Sequence, residues 1–238
     1  MSGKKLLVIG AHSADFVWRA GGAIALVTSQ GGSATVVALS YGERGESGEL
    51  WKDPGQTVEN VKHIRHEQAQ AAADILGAEF CCFDLGDYPL TITDETMKHL
   101  TDLFRDMEPH IVLTHTPVDP FNPDHPVVCQ AVQKARLLAS GAGVASAFKN
   151  ITPPELYFFE PHQPELCDFR PNTFLDITPV MELKRKAMGT MQAQSYLQTY
   201  YTELASRRAN HARRISGQEE VKFAEAFQRT LPWVVKSL

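Results

Sequence analysis

Three short stretches of this chain deliver cation-binding side chains at the end of an apolar run or at a helix start. In the first, LLVIGAHSADFVWRAGG, the strand-length run Leu6 to Ile9 breaks at Gly10 and Ala11, and His12 and Asp15 follow at once. An imidazole and a carboxylate three residues apart are borderline and hard ligands that suit zinc or ferrous iron. Ser13 or Asp15 can equally cap the following helix, so this pair alone leaves both readings open. In the second stretch, Asp124-His125-Pro126 leads into VVCQAVQKARLLA. Proline suits a first helical turn, so His125 projects from a rigid helix start where it can join His12 and Asp15. Two imidazoles and one carboxylate leave positions open for water and substrate. Asp124 can orient a ligand imidazole from behind. His115 and Asp119, in the same proline-stiffened loop, can line a pocket or make loop hydrogen bonds.

The third stretch is ELYFFE, from Glu155 to Glu160, with His162 just beyond it. Glu46 lies between Gly45 and Ser47-Gly48 in the loop from Tyr41 to Gly55, where small neighbours allow close approach to a ligand. His63 and His66 sit three apart on a helical pattern without a carboxylate cluster, a poor case for metal.

The elements that must position these groups follow from the apolar pattern. Leu6 to Ile9, Ala34 to Ser40, Glu79 to Leu85, His110 to Thr114 and Glu155 to Glu160 read as strands, and Thr173 to Ile177 as a further one. Helices are expected over Phe16 to Ser29, Thr57 to Leu76, Thr93 to Met107 and from Asp124, and the chain from Pro179 onward reads as mainly helical, QEEVKFAEAFQRT included. Strands alternating with helices predict an α/β fold with a mostly parallel sheet, and ligands gather at the carboxyl ends of such strands. With 238 residues and 43% hydrophobic content, one domain spanning 1–238 is expected.

A net charge of -5 without a basic, aromatic-interleaved stripe argues against nucleic acid. No apolar run is long enough to span a membrane, and MSGKK is not followed by a signal-peptide core, which makes the cytoplasm the expected compartment. Cys81, Cys82, Cys129 and Cys167 form no CxxC pair and read as reduced thiols.

These motifs resemble the LmbE-like (PIG-L) superfamily of metal-dependent N-acetylglucosamine deacetylases. That family opens with Ala-His-Pro-Asp-Asp-Glu and a later Gly-Gly, against Ala11-His12-Ser13-Ala14-Asp15-Phe16 and Gly21-Gly22 here. Its Arg-Gly-Glu-x-Gly loop is matched by Arg44 to Gly48, and its His-Pro-Asp-His block by Asn122-Pro123-Asp124-His125. The resemblance implies a Rossmann-like sheet and makes His12, Asp15 and His125 the ligands of Zn2+, with Fe2+ or Co2+ as substitutes. Two departures stand out. The general base of the deacetylases is Ala14 here, and the histidine that polarises the amide is Asn122, so amide hydrolysis should be crippled.

The chain as a whole is similar to the hydratase branch of this superfamily, which adds water to a carbon–carbon double bond of 4-oxalomesaconate (4-carboxy-2-hydroxymuconate) in bacterial gallate degradation. That resemblance implies a zinc-dependent hydro-lyase; for its chemistry, Glu46 in its glycine-flanked loop is the candidate to aim the attacking water and assist its deprotonation, and His162, which titrates in the right range, is the candidate acid. Arg44, Arg19 and Arg170 are the candidate cations for a small anionic polycarboxylate, beside Asn122 and His115, and a homo-oligomer is expected. The alternatives are a zinc-dependent de-N-acetylase of an amino sugar or related amide and a Rossmann-like binding protein without chemistry.

Overall fold

Strand β1 (Lys5–Gly10) runs through the middle of a sheet, and the alternation of its side chains divides the interior in two. Leu6 and Val8 enter one core while Leu7 and Ile9 enter the other, all at most 1% exposed. The computed structural model describes residues 3–234. After β1 come α1 (Asp15–Ser29), β2 (Ser33–Ala38), α2 (Val58–Leu76), β3 (Glu79–Cys82), α3 (Asp94–Met107) and β4 (Ile111–Thr114). They are followed by α4 (Asp124–Ser140), β5 (Glu155–Phe159), β6 (Thr173–Asp176), α5 (Met181–Thr190), α6 (Leu197–Ser216) and β7 (Ala224–Arg229). The sheet order is β3-β2-β1-β4-β5-β7-β6, parallel from β3 to β5, with β7 antiparallel to both its neighbours. This is a single α/β domain with helices on both faces of a mostly parallel sheet. Helices α1, α2, α5 and α6 line the first core, and α3 and α4 the second.

Strand order reverses between β1 and β4, so the loops leaving their carboxyl ends diverge and open a crevice there. The loop after β1 carries His12, and the loop after β4 leads to His125. The fold thus explains how residues more than a hundred positions apart converge.

One expectation fails at the end of the chain. QEEVKFAEAFQRT is not helical: Ala224–Arg229 is strand β7, inserted between β5 and β6. Ala224, Glu225, Ala226 and Phe227 are all buried, so the strand shows no alternation of exposed and covered residues by which to recognise it. Buried Glu225 serves α1. Its carboxylate accepts from the N–H groups of Gly22 (2.7 Å) and Ala23 (2.8 Å) and from Lys184 Nζ (2.6 Å), which also donates to the Trp18 carbonyl. A Cβ on Gly22 would come within 2.6 Å of Ile177 Cγ2, just after β6, and 2.9 Å of Glu225 Oε1 on β7, so the close approach of these two residues to α1 requires glycine. The middle of α1, from Trp18 to Ala23, is thereby tied to α5 and β7. All four cysteines are free. No helix among the described residues is long and apolar enough to cross a membrane.

Candidate metal centre

The capping alternative for the first turn is settled by where its side chains go. Helix α1 has no side-chain cap: Ser13 Oγ donates to the Tyr41 carbonyl, and Asp15 Oδ2 accepts from the His12 backbone N–H at 2.8 Å. The 2.8 Å bond folds the turn back on itself and brings the His12 ring over Asp15. His12 and Asp15 are each 1% exposed and His125 is 2% exposed.

Around one point these three meet Glu46. One donor atom from each of His12, Asp15, Glu46 and His125 lies within 4.8 Å of every other. His12 Nδ1 stands 3.6 Å from Asp15 Oδ2 and 3.4 Å from Glu46 Oε1, and His125 Nε2 stands 3.7 Å from Asp15 Oδ1 and 3.9 Å from Glu46 Oε1. Both of these ring nitrogens are buried without a hydrogen-bond partner among the described residues. Their opposite nitrogens are held: His12 Nε2 by Asp124 Oδ2 at 3.2 Å, and His125 Nδ1 by Asp119 Oδ2 at 2.8 Å. A carboxylate behind each ring fixes a proton on the outer nitrogen and turns the other lone pair inward, as metal-ligating histidines are held. Burial alone would lower the His12 pKa, but Glu46, Asp124 and Asp15 outweigh it and raise it to about 9. The negative field and two inward lone pairs suit a divalent cation, and the N, N, O donor set suits zinc. A second grouping, His12 with Asp87 and Asp124, shares the same imidazole. Its carboxylates are already occupied by backbone N–H groups, Asp87 by Arg44 and Gly45, Asp124 by Tyr88 and Leu90.

Asp124 therefore supports His12, not its neighbour His125, and Asp119 supports His125. Substituting either carboxylate by asparagine should lower metal affinity or turnover by about 10 to 100-fold, the usual effect of removing such a support. Metal titration of Asp119→Asn checks this, and wild-type affinity would contradict it.

A cavity of about 270 Å³ opens over this cluster, with Trp18, Arg19, Tyr88, Phe121, Asn122, His162, Gln194 and Tyr196 in its walls. Arg19 pairs with Asp15 through Nη1 at 2.6 Å, and its Nη2 lies 3.2 Å from His162 Nδ1. Asn122 Nδ2 donates to Glu46 Oε1 at 2.8 Å. Three sequence expectations are corrected here. His115 does not face the cavity: it is 2% exposed, 2.9 Å from the Ala11 N–H, with its ring stacked on that of His125 at 3.9 Å between centroids. Arg44 is half exposed and donates to the Asp87 carbonyl, so it faces away from the cavity. Arg170 is exposed outside the cavity, its backbone N–H bonded to Gln228. His63 is exposed beside Glu67, and His66 packs against Tyr41 and Phe80.

Residues 7–136 match the PIG-L family, described as GlcNAc-PI de-N-acetylase. The chain belongs to this family. A PIG-L relative from Pseudomonas putida KT2440, a 4-oxalmesaconate hydratase, is 46% identical over 99% of this chain and 92% of its own length. The crystal structure of the 4-carboxy-2-hydroxymuconate hydratase from the same strain superposes with a TM-score of 0.95, covering 99% of both chains at 46% identity. More distantly, the diacetylchitobiose deacetylase of Thermococcus kodakarensis is 29% identical over 80% of this chain and 70% of its own length.

Two groups in contact with the centre escaped the sequence reading. Gln194 lies in a short turn after α5, beyond the matched PIG-L segment, and donates to Glu46 Oε2 at 3.1 Å. Tyr201 on α6 lies 3.1 Å from His162 Nδ1 through its hydroxyl. Neither carries a local signal, because a single Gln or Tyr on a helical pattern looks like any other.

Proposed function

We propose that this PIG-L protein is a metal-dependent hydratase of the cytoplasm that adds water to the conjugated carbon–carbon double bond of 4-oxalomesaconate (4-carboxy-2-hydroxymuconate). The observation that carries the proposal is the full-length likeness to the P. putida hydratase, at 46% identity and a TM-score of 0.95. The chemistry of the cavity supports it. His12, Asp15 and His125 would hold the cation, Zn2+ or in its place Fe2+ or Co2+, which supplies Lewis acidity enough to bring the pKa of water towards about 7.

The residues of the chain then divide the work. Asp15 is occupied by Arg19, and Asp119 and Asp124 by the ligand imidazoles. Glu46, the most exposed of these carboxylates, is the one that can take a proton. Asn122 aims it, and Ala14, fully buried at the start of α1, supplies no rival base. Three carboxylates and one guanidinium in the cavity wall leave two negative charges, which a dication cancels before a polyanion enters. Arg19 is the cation at hand for a substrate carboxylate or enolate.

His162 acts differently from the expectation of a cationic acid. Burial first, then the Arg19 cation, push its pKa down to about 4, so near neutral pH the ring is uncharged. Because Arg19 can only donate, Nδ1 accepts and the proton sits on Nε2. The ring therefore offers the substrate an N–H donor. A cationic acid would lose activity as pH rises through its pKa; His162 is already neutral above about 4, so no such loss is expected around pH 6 to 7, near the ordinary histidine value of about 6.5. His162→Gln, which keeps an N–H donor, should retain more turnover than His162→Ala, and pH–rate profiles of both check this.

The direct test follows the ultraviolet absorbance of the conjugated keto-acid in parallel with acetate release from N-acetylated amino sugars. Loss of absorbance without acetate is the expected result. Acetate release without hydration would identify a de-N-acetylase.

A further inference from the structure

The carboxylate of Glu46 is gripped by two side-chain amides whose orientations are forced. The Asn122 oxygen accepts from the Asp124 backbone N–H at 3.1 Å, so its NH2 must face Glu46 Oε1. The Gln194 oxygen accepts from Arg65 Nη2 at 3.2 Å and Trp18 Nε1 at 3.4 Å, groups that only donate, so its NH2 must face Glu46 Oε2. Gln194 is 4% exposed, and neither amide can flip without leaving buried donors facing one another.

Behind Gln194, Arg65 is fully buried and forms no salt bridge to a carboxylate among the described residues. Its Nε donates to the Tyr41 carbonyl at 3.3 Å, and Nη1 has no hydrogen-bond partner among the described residues. A buried guanidinium without a counter-ion is unfavourable, and folds that keep one have a charge nearby that it serves. Glu46 is that charge: among neighbouring groups it opposes the burial penalty on Arg65 most strongly. Arg65 and Glu46 thus form a charge pair split by one amide, which passes the cation's polarisation to the carboxylate.

We propose that Gln194 is a positioning residue, bridging the Arg65 cation to Glu46 so that Oε2 is tethered and Oε1 alone is presented to His12 Nδ1 and His125 Nε2. This deepens the hydratase proposal and rests on it for its kinetic consequence, but the placement of Glu46 is a separate observable. Gln194 acts through Glu46 and does not touch the reacting atoms. It lies outside the segment that matches the PIG-L family, so the tether is built by the C-terminal part of the chain.

Two variants and two readouts test it. Gln194→Met keeps the volume and removes the donor. Gln194→Glu keeps the acceptor for Arg65 and Trp18, which preserves the packing, but turns an oxygen toward Glu46 Oε2. In crystal structures of both, the Glu46 carboxylate is expected to leave its place between Asn122 and Gln194. In kinetics, kcat should fall by roughly 10²-fold, the scale of an ångström-sized misplacement, with KM changed by less than about threefold. A Glu46 that stays in place in both variants overturns the proposal, whatever the activity. So does a loss carried by KM alone, which would make Gln194 a substrate contact. Wild-type protein that fails to hydrate the keto-acid while Glu46 still moves in the variants refutes the hydratase proposal and leaves the tether standing.

Discussion

Replacing Glu46 by glutamine is expected to lower the hydration rate by roughly 10²- to 10⁴-fold, the usual contribution of a general base, while about one metal ion per chain is retained. The side chain keeps its length and its bond with Asn122 can re-form, but its own NH2 then faces the fixed NH2 of Gln194, so the loss includes displacement of the side chain as well as removal of the base. Lost is the only carboxylate of the cavity wall held solely by side-chain amides: Asp15 faces Arg19, and Asp119 faces His125. The metal stays because His12 Nδ1, His125 Nε2 and Asp15 do not depend on Glu46 for orientation; Asp124, Asp119 and Arg19 provide it. Metal analysis beside steady-state kinetics separates the two effects. A glutamine variant with near-normal turnover would remove Glu46 from the mechanism.

His12→Ala is expected to lose metal and activity together. One of two inward imidazoles disappears, and Asp124 keeps only its backbone donors from Tyr88 and Leu90. With Lewis-acid stabilisation worth several kcal/mol, turnover should fall by about 10³-fold or more. The same carboxylate field that raises His12 to about 9 makes the metal compete with a proton there, so occupancy in the wild type should weaken as pH falls. Retained metal in the alanine variant would strike His12 from the ligand set. Asp124→Asn, which leaves His12 in place but loosens it, should sit between wild type and His12→Ala.

Much of this was legible because the informative residues are local. The Leu6 to Ile9 run, the break at Gly10 and the polar residues after it announce a central strand with a site at its end, and Pro126 announces a helix start under His125. What was not legible depends on partners far along the chain. His115 also follows a strand end, yet it is packed under His125 and away from solvent, a distinction set by three-dimensional stacking. Arg44 sits beside Glu46 in sequence, but Asp87, 43 residues away, takes its backbone N–H and turns its side chain outward. Glu225 falls in a segment expected to be helical; it lies in a buried strand and ties down α1. The lowered pKa of His162 is likewise set by burial first and then by Arg19, 143 residues away, neither of which its own neighbours reveal.

The most direct measurement is a titration of chelated, dialysed protein with Zn2+, following metal bound and loss of the substrate's ultraviolet absorbance in the same samples. Hydration should be absent at the start and rise in proportion to bound metal, levelling off at about one ion per chain. Full hydration by metal-free protein, or full occupancy with no hydration, would contradict the account.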